Sequence, residues 1–351
     1  MPNISTLAGA HAGLVSNETL LVFQWIAYCV VCQVINMLGV ISNIINIACF
    51  IKQGFKESVN ISLLGLAVSD LGCLLTLMWI CICYTPAFEA ADLTFDTTDV
   101  TYASTGMVHL TFSRITCWMT AFITLERCLC ITTPLKVKLL ITPRRTSIIV
   151  FIIYATLTLS QVPVYSVNRL GQKFFPDRNK TLLGLVYTPN MEYVEKISSY
   201  VNMFLPFIAF VTIISCTAIL IITLYSNNEW RGKSRASAHT DNISQRNQKV
   251  AKMVLMISIL FIACFVPVSI AFLVMSIEPS ISVNGINRNL LFLLGGVCII
   301  LESVNSSANI LIYYHVSSKY KEVFLKHICA LRLSSPHISF KLRTKQNNYM
   351  M

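Results

Sequence analysis

The sequence predicts an all-α fold, in which seven membrane-spanning helices form a bundle and a short amphipathic helix follows the last span. The apolar residues lie in seven long blocks, and a block of about 18 or more apolar residues is typical of a membrane-spanning helix. Of the 351 residues, 55% are hydrophobic and only 12% are charged, whereas soluble domains carry about 25% charged residues. Lysine and arginine are concentrated in alternate loops. These patterns exclude a soluble globular domain.

Each apolar block is predicted to be a helix, because a single segment in lipid must satisfy its own backbone hydrogen bonds. Pro163, Pro206 and Pro267 lie inside blocks and predict kinks, since neighbouring helices can satisfy the freed carbonyls. The predicted spans cover residues 23–50, 60–84, 101–131, 146–166, 197–225, 250–277 and 289–314. The chain is thereby divided into an extracellular N-terminal segment 1–22, a membrane domain 23–314 and a cytoplasmic tail 315–351.

The distribution of basic residues predicts the orientation of the bundle. Lysines and arginines lie in the loops after spans one, three and five and in the tail, whereas residues 1–22 and the loop after span two contain none. Because basic loops face the cytoplasm, we expect the N-terminus outside the cell and a location in the plasma membrane. The net charge of +11 is therefore assigned to loops beside the membrane lipid, and no nucleic-acid partner is expected.

Three glycosylation sequons lie on the predicted outer side and agree with this orientation. They begin at Asn3, Asn17 and Asn179, and such acceptors are expected on the outer surface of a membrane protein. A fourth triplet, which begins at Asn242, falls on the inner side, so the sequons only support the orientation that the charges predict.

The segment after span seven is predicted to be an amphipathic helix on the inner leaflet, because apolar residues recur at helical spacing among lysines. These apolar residues are Tyr320, Val323, Phe324 and Ile328. Cys329 is a candidate for palmitoylation, and the alternative is an ordinary exposed cysteine. The other twelve of the thirteen cysteines fall within or beside apolar blocks, where free buried cysteines act as small hydrophobic residues.

Six of the seven spans contain a polar residue or a proline motif. Polar groups inside spans are costly and usually functional, which singles these residues out. In chain order they are Asn43, Asp70, Glu126-Arg127-Cys128 with Pro134 after it, Pro206, Cys264-Phe265-Val266-Pro267, and Asn305, Ser306, Asn309 and Tyr313. This order, with one motif to a span, closely resembles the rhodopsin-like G-protein-coupled receptors over the whole membrane domain.

The motifs depart from the family pattern at several positions. Cys128 stands where the family usually has a tyrosine, and Phe265 stands where it has a tryptophan. Ile310 replaces the proline of span seven. In span four, Ile153 or Tyr154 lies near the place of the usual tryptophan.

Both halves of the family's outer disulfide are missing. Tyr102 stands where span three usually has a cysteine, and the second outer loop, 167–196, contains no cysteine. We therefore expect no such bridge, so that the outer loops are held in another way or the chain belongs to a divergent branch.

The resemblance implies a role in G-protein coupling and activation for one group of residues. Arg127 would pair with Glu126 at rest and turn to the G-protein when the inner ends of the spans separate. The family's second partner for this arginine is an acid near the place of Asn247, so we expect a weaker resting lock and basal activity. The whole group is Glu126, Arg127, Pro134, Phe265, Pro267, Asn309 and Tyr313.

A second group matches the positions that bind a sodium ion in relatives. A hard cation prefers oxygen ligands, and this group supplies carboxylate, hydroxyl and amide oxygens. The alternative is a hydrogen-bonded polar cluster that holds water. The group comprises Asp70, Thr116, Asn305, Ser306 and Asn309, and no other metal or cofactor is predicted.

The candidate ligand site lies in the outer half of the bundle. His109 corresponds to the position where amine receptors carry an aspartate, which argues against a biogenic amine. Arg114 and Glu302 are predicted to pair with each other, with His109 or with a charged ligand, and a purely structural ion pair is the alternative. The predicted ligand-binding residues are His109, Ser113, Arg114, Phe265, Phe272 and Glu302. Tyr200 is a further candidate, and core packing is the alternative for all these aromatic residues.

The resemblance implies a receptor that binds an extracellular small molecule or peptide and activates a heterotrimeric G-protein. Two ligand classes remain open, a chemosensory cue and a neuropeptide of the FMRFamide type. The missing disulfide and the altered motifs favour the chemosensory class slightly. No nucleophile–base pair or cofactor motif predicts an enzyme. A secondary transporter or channel is the alternative, although the two halves of the chain lack the repeat that is typical of transporters.

Overall fold

The computed structural model of the protein describes residues 13–133, 137, 141–233, 238–282 and 285–333. Of these, residues 89, 177, 227–233, 238–247, 276 and 327–333 are described by their backbone alone. Seven helices in the described part are long and apolar enough to cross a membrane, which confirms the predicted bundle of seven spans. We call the end of the bundle near residue 13 the outer end and the end near the tail helix the inner end.

The observed spans agree with the predicted ones, although spans one and five begin earlier than predicted. The membrane-spanning segments are Asn17–Gln53, Ser58–Cys83, Thr97–Thr132, Pro143–Val167, Met191–Ser226, Gln248–Met275 and Arg288–Val316. Spans one and three each contain a π-helical segment, at Trp25–Cys32 and Tyr102–Gly106. The helices of spans five and six extend further, as Met191–Lys233 and Ala238–Ile277. A short helix, Pro86–Glu89, lies in the first outer loop.

The three span prolines behave differently. Pro206 and Pro267 lie inside continuous helices, and the kinks expected there stay predictions. Span four instead consists of two helices, Pro143–Leu159 and Val162–Val167, with Pro163 in the first turn of the second. Proline favours a first helical turn because it lacks an N–H donor and has a fixed φ angle. The predicted kink at Pro163 is therefore a break that starts a new helix.

Span three is the central helix, which packs against spans two, four, five and six. Glycines of span two allow a close approach. A Cβ at Gly72 would lie 2.6 Å from the Phe112 ring, and a Cβ at Gly65 would lie 2.8 Å from Met119 Cε. Small residues at such interfaces let helices approach in lipid, where packing rather than the hydrophobic effect drives association.

Span four is joined to span two by a tyrosine. The Tyr154 hydroxyl donates a hydrogen bond to the Gly65 carbonyl oxygen at 2.6 Å, whereas Ile153 packs against the apolar core. Of the two residues near the place of the family's tryptophan, Tyr154 is therefore the one that makes a polar contact with span two.

The second outer loop forms an antiparallel hairpin, an element that the sequence reading missed. Strand β1 is Asn168–Phe175 and strand β2 is Lys180–Tyr187. The turn between them contains a short 3₁₀ helix, Pro176–Arg178, followed by Asn179 at a φ of 47°. Asparagine tolerates this left-handed conformation better than most residues, so the turn suits the residue that occupies it.

Acidic residues before and at the start of span three attach this hairpin to the bundle. Lys173 Nζ lies 3.1 Å from Asp99 Oδ2, Arg178 Nη2 lies 3.7 Å from an Asp96 oxygen, and Lys180 Nζ lies 2.7 Å from an Asp92 oxygen, which makes these ion pairs. The backbone N–H of Asp96 donates to the Leu183 carbonyl at 2.9 Å, and the Leu183 N–H donates to the Thr94 carbonyl at 3.0 Å. We call this set of contacts between residues 92–99 and the hairpin the outer clamp.

The cysteines with described side chains are free.

The helix after span seven is Ser318–Leu333, which confirms the predicted helix of the tail. Tyr320 is its anchor, since it is almost fully buried. Its ring packs against Phe50 and Tyr313, with centroids 5.7 and 5.5 Å away. Its hydroxyl donates to Asn46 Oδ1 of span one at 2.6 Å. The tail helix is thus held to spans one and seven by an aromatic cluster and a buried hydrogen bond.

Candidate functional site

At the inner end of span three, Arg127 and Glu126 form a buried ion pair. Arg127 Nη2 lies 2.6 Å from Glu126 Oε1, the arrangement that the family resemblance implies. Two serines of span two complete the shell of this carboxylate, because Ser62 Oγ donates to Oε2 at 3.0 Å and Ser58 Oγ donates to Oε1. Ser58 and Ser62 lie one helical turn apart, so they face Glu126 together. A carboxylate with this many donors is well satisfied in a low-dielectric environment.

A neutral hydrogen bond links span three to span six. Thr124 Oγ1 and Ser258 Oγ lie 2.7 Å apart, and both residues are fully buried. The resemblance implies a weak lock here, because an amide, Asn247, lies near the place of the usual acid. The side chain of Asn247 lies outside the described residues. The Thr124–Ser258 pair, which could not be recognised from the sequence, is a polar contact between these spans.

Three further residues predicted for coupling and activation, Phe265, Pro267 and Tyr313, belong to spans six and seven. The Phe265 ring stacks on Phe261, with centroids 4.1 Å apart. The Tyr313 ring packs edge-on against Phe50 at 5.1 Å, and its hydroxyl is buried without a hydrogen-bond partner. Pro267 lines an apolar groove between spans six and seven. Pro134 lies outside the described residues.

A cavity of about 330 Å³ opens at the inner end. Residues of spans one, two, six and seven and of the tail helix line it, among them Phe50, Lys249, Tyr313 and Tyr320. The aromatic cluster that holds the tail helix therefore forms one wall of this cavity.

Asp70 is the centre of a polar cluster in the middle of the bundle. The residue is fully buried. Thr116 Oγ1 donates to Asp70 Oδ1 at 3.1 Å, and Asn309 Nδ2 donates to Asp70 Oδ2 at 2.8 Å. Ser306 is a further hydrogen-bonding partner of this carboxylate. Four of the five residues predicted for the sodium group are thus in direct contact, and Asn305 is buried one turn before Asn309.

The chemistry of this cluster fits a hard cation. The partners that the structure gives to Asp70 are hydroxyl and amide groups, so they leave its charge uncompensated. Asn309 Oδ1 is buried and has no hydrogen-bond partner. A buried carboxylate beside an orphaned amide oxygen and two hydroxyl oxygens supplies the ligand type that such an ion prefers.

Span one is joined to span seven beside this cluster. Asn43 Nδ2 donates to the Ser306 carbonyl at 2.8 Å and to the Gly39 carbonyl at 3.0 Å. A Cβ at Gly39 would overlap Ser307 Oγ, so glycine allows the two helices to touch. Asn43 therefore acts as the polar link of span one to the centre of the bundle.

In the outer half of the bundle, His109 pairs with Glu302. His109 Nε2 lies 2.8 Å from Glu302 Oε2, and the two side chains are 14% and 17% exposed. Thr76 Oγ1 of span two lies 3.2 Å from His109 Nδ1, a contact that the sequence reading missed. Of the pairings predicted for His109, Arg114 and Glu302, the structure forms the one between His109 and Glu302. Spans two, three and seven are joined through this histidine.

The other predicted ligand residues are not part of this pair. Arg114 is buried, and none of its side-chain nitrogens has a hydrogen-bond partner. Ser113 lies one turn inward of His109 and is half-buried. Phe272 is 59% exposed and Tyr200 is 52% exposed, so neither ring shares the buried environment of the pair. The structure thus brings together two of the predicted residues and separates Arg114 from them.

The predicted modification sites lie in different surroundings. Asn17 is exposed at the start of span one, where its Oδ1 accepts a hydrogen bond from Asn289 at 2.7 Å. Asn179 is exposed in the turn of the hairpin. Asn3 lies outside the described residues, and Cys329 belongs to the part of the tail helix that is described by its backbone alone.

Two comparisons with known proteins agree with this geometry. A family model described as "7 transmembrane receptor (rhodopsin family)" matches residues 42–313. The chain is also similar to a galanin-like G-protein coupled receptor of Caenorhabditis elegans, with 22% identity over 315 residues that cover 84% of this chain and 71% of the relative. The matched range of the family model runs from just before Asn43 to Tyr313, so it contains the Asp70 cluster, the His109–Glu302 pair and the Arg127–Glu126 pair.

Proposed function

Since this chain belongs to the rhodopsin family of seven-transmembrane receptors, we propose that its ligand is a peptide that binds at the outer end of the bundle. Members of this family are membrane receptors that respond to an extracellular ligand and act on a heterotrimeric G-protein, and a transporter or channel is not favoured. The similarity to a receptor named galanin-like supports a peptide over a chemosensory cue. This similarity outweighs the slight preference for a chemosensory cue that the missing disulfide and the altered motifs give.

The observation that carries the proposed ligand site is the hydrogen bond between His109 and Glu302. This pair lies in the outer half of the bundle, and both side chains are partly exposed. A ligand that enters from the outer end can therefore reach it. It joins spans three and seven, and Thr76 extends it to span two. A ligand that competes for either partner alters the contact between these spans.

Activation follows as a shift between two states of the bundle. A ligand that binds one state more tightly raises the population of that state. In the active state we expect the inner ends of spans three and six to separate, which breaks the Thr124–Ser258 hydrogen bond. Arg127 then leaves Glu126 and contacts the G-protein at the inner end of the bundle. The protein catalyses no reaction in this scheme.

Sodium is proposed as an allosteric ligand of the Asp70 cluster. Asp70, Thr116, Asn305, Ser306 and Asn309 would hold the ion, and its charge would offset that of the carboxylate. Asp70→Asn keeps the shape of the side chain and removes the charge. We expect sodium to change agonist affinity in the parent protein and to have no effect in this variant. A sodium effect that persists in the variant would overturn the site.

The orientation and the modifications are part of the same proposal. By the positive-inside rule, the N-terminus lies outside the cell. The bundle itself lies in the plasma membrane. Asn3, Asn17 and Asn179 are then available for glycosylation, and the exposure of Asn17 and Asn179 supports this. Cys329 would be palmitoylated at the inner leaflet.

A ligand screen tests the proposed function. Cells that express the full chain are exposed to a peptide panel and, separately, to a panel of volatile and water-soluble small molecules, with nucleotide exchange on a G-protein as the readout. We expect activation by a peptide. Activation by small molecules alone would overturn the peptide class. Solute transport in liposomes, without nucleotide exchange, would overturn the receptor itself.

The ligand site is tested with a matched pair of variants once an agonist is found. Glu302→Gln removes the charge that faces His109 and is expected to lower agonist potency by about 10-fold, because a charged hydrogen bond contributes about 1.5–3 kcal/mol. Glu322→Gln makes the same change on the tail helix, where the carboxylate is exposed and paired with Lys326. Equal potency of both variants would contradict the site.

A further inference from the structure

Arg114 is a deeply buried cation without a partner in the described part of the chain. The residue is 3% exposed, and its Nε, Nη1 and Nη2 atoms have no hydrogen-bond partner. An unpaired buried charge is among the costliest features that a fold can carry. The other ionisable groups deep in the described spans have hydrogen-bond partners, which are Asn309 for Asp70, Glu302 for His109 and Glu126 for Arg127.

Arg114 faces away from the His109 pair. His109 and Arg114 are five positions apart, so the helix turns by about 140° between them. His109 contacts spans two and seven. Cys117, one turn after Arg114, contacts the Pro206 carbonyl of span five with its Sγ at 3.9 Å. Arg114 therefore lies on the side of span three that faces span five.

Trp118 adds a second unsatisfied donor to this side of span three. It lies one turn after Arg114, and its indole Nε1 is buried without a hydrogen-bond partner. Its ring packs against the cluster of spans three, five and six that contains Ala209 and Phe261. Guanidinium and indole nitrogens can only donate hydrogen bonds. Two unsatisfied donors on one helix face, one of them charged, match an acceptor with negative charge.

Two amide side chains lie at the same level between spans four and five. Gln161 Nε2 donates to Asn202 Oδ1 at 3.5 Å, and Gln161 Oε1 is buried without a partner. Asn202 lies one turn before Pro206. Arg114 lies one turn before Cys117, and spans three and five run in the same direction. The contact between Cys117 and Pro206 therefore puts Asn202 level with Arg114.

We propose that the interface of spans three, four and five is an anion subsite of the ligand site, in which Arg114 binds a carboxylate of the ligand. This inference rests on the proposed receptor function. The guanidinium fork matches a carboxylate with two parallel hydrogen bonds. In a peptide ligand, the C-terminal carboxylate or an acidic side chain supplies the anion.

Binding at this subsite is coupled to a movement of the spans. Arg114 is 3% exposed, so a carboxylate reaches it only when spans four and five move outward from span three. The ligand therefore binds the open arrangement more tightly than the closed one and shifts the population toward it. The unpaired charge raises the free energy of the closed arrangement and makes this shift easier.

The stability of the unliganded protein is the first test. Arg114→Met in the full chain, purified into lipid nanodiscs, removes the unpaired charge and keeps a long apolar side chain. We expect its Tm to rise by about 2 °C or more. Arg169→Met removes the same side chain from an exposed position of strand β1 and is expected to change the Tm by less than about 1 °C. A fall in the Tm of Arg114→Met would mean a structural role and would overturn the proposal.

Binding of defined probes is the second test. Hexanoate and benzoate at millimolar concentration are compared with hexanamide and benzamide, which have the same shape without the charge. We expect the acids to raise the Tm of the parent protein and of Arg169→Met, and to leave Arg114→Met unchanged. Arg114→Lys retains the charge and is expected to keep part of the effect. Stabilisation of Arg114→Met by the acids, or none in the parent protein, would overturn the subsite.

The peptide version of this test separates the two proposals. Each active peptide is compared as a free acid, as a C-terminal amide and with its acidic side chains neutralised, which identifies the source of the carboxylate. Equal potency of all three forms would overturn the subsite and leave the receptor function intact. Carboxylate stabilisation that depends on Arg114, in a protein that never promotes nucleotide exchange, would instead retain the subsite and refute the proposed function.

Discussion

The two ends of the bundle are held together by different chemistry. At the outer end, the outer clamp uses ion pairs whose lysine and arginine side chains are more than one-third exposed. At the inner end, Glu126 and Arg127 are buried together, and Tyr320 holds the tail helix through a buried hydrogen bond. Exposed ion pairs contribute about 0–1 kcal/mol each, whereas removal of one partner from a buried pair costs about 3–5 kcal/mol.

The two ends therefore differ in how much stability the loss of a single contact costs. The outer contacts are several, weak and screened by salt, so the loss of one leaves the others in place. The Glu126–Arg127 pair and the Tyr320–Asn46 hydrogen bond at the inner end are buried, so the loss of either affects this end more strongly than the loss of one exposed pair. We expect the outer loops to adapt to a ligand in small steps and the inner end to change state as a unit.

The largest effect is expected for Arg127→Ala, which tests the inner end directly. The variant should abolish agonist-stimulated nucleotide exchange, because it removes the group proposed to contact the G-protein. Surface expression should persist, since Ser58 and Ser62 still donate to Glu126. Antibody labelling of intact cells provides the control for expression. Signalling at the parent level would show that the inner pair does not have the proposed role.

A smaller effect is expected for Thr124→Val, which removes the hydrogen bond between spans three and six. One buried hydrogen bond contributes about 1 kcal/mol, so basal nucleotide exchange should rise by about 5-fold. Thr120→Val makes the same change one turn away, where the hydroxyl bonds only to the Thr116 carbonyl of its own helix. Basal exchange that rises equally in both variants would refute a specific lock at Thr124.

The outer clamp is tested by Asp99→Asn, which removes the ion pair with Lys173. Agonist affinity should fall by about 2- to 5-fold. High salt should lower the affinity of the parent protein and have less effect on the variant, because salt screens this pair. A thiol reductant should leave the affinity unchanged. A disulfide mapped by mass spectrometry in the outer loops would contradict the view that ion pairs hold them.

The smallest effect concerns pH and the exposed pair of Asp92 and Lys180. Lys180 lowers the pKa of the Asp92 carboxyl from its ordinary value. A carboxyl with a lowered folded pKa stabilises the fold above its ordinary pKa of about 4 and loses this contribution as the pH falls through the lowered value. Hydrogen exchange of the hairpin amides, corrected for intrinsic rates, should therefore increase below about pH 4. Lys180→Gln should remove this increase, and an identical increase in the variant would exclude the pair as its cause.

The spans and the tail helix were predictable from the sequence, because hydropathy is a property of each segment by itself. The same holds for the motif residues, whose order along the chain identifies their spans. The outer hairpin was missed because each strand has only eight residues, and the apolar residues in them do not alternate regularly with polar ones. Patterns of this length do not stand out beside long apolar blocks.

Contacts between spans could not be predicted, because they depend on how each helix is rotated about its axis. Thr124 and Ser258 are 134 residues apart, and nothing in either segment indicates the other. The pairing of His109 with Glu302 rather than of Arg114 with Glu302 was one of several open alternatives for the same reason. From the sequence, Arg114 could pair with Glu302, with His109 or with a charged ligand, and the structure places it on another face of the helix from the His109–Glu302 pair.

The hydrogen bond between Tyr320 and Asn46 has a consequence for biosynthesis. Its two residues are 274 positions apart, so a ribosome that adds about 10 residues per second takes roughly half a minute to deliver the partner of Asn46. During that time Asn46 of the first inserted helix lacks the hydrogen bond that its Oδ1 accepts from Tyr320 in the finished protein. A transcript that ends before codon 320 would therefore leave the earliest helix of the protein incompletely docked, and cellular quality control would meet the defect at the opposite end of the chain from the truncation.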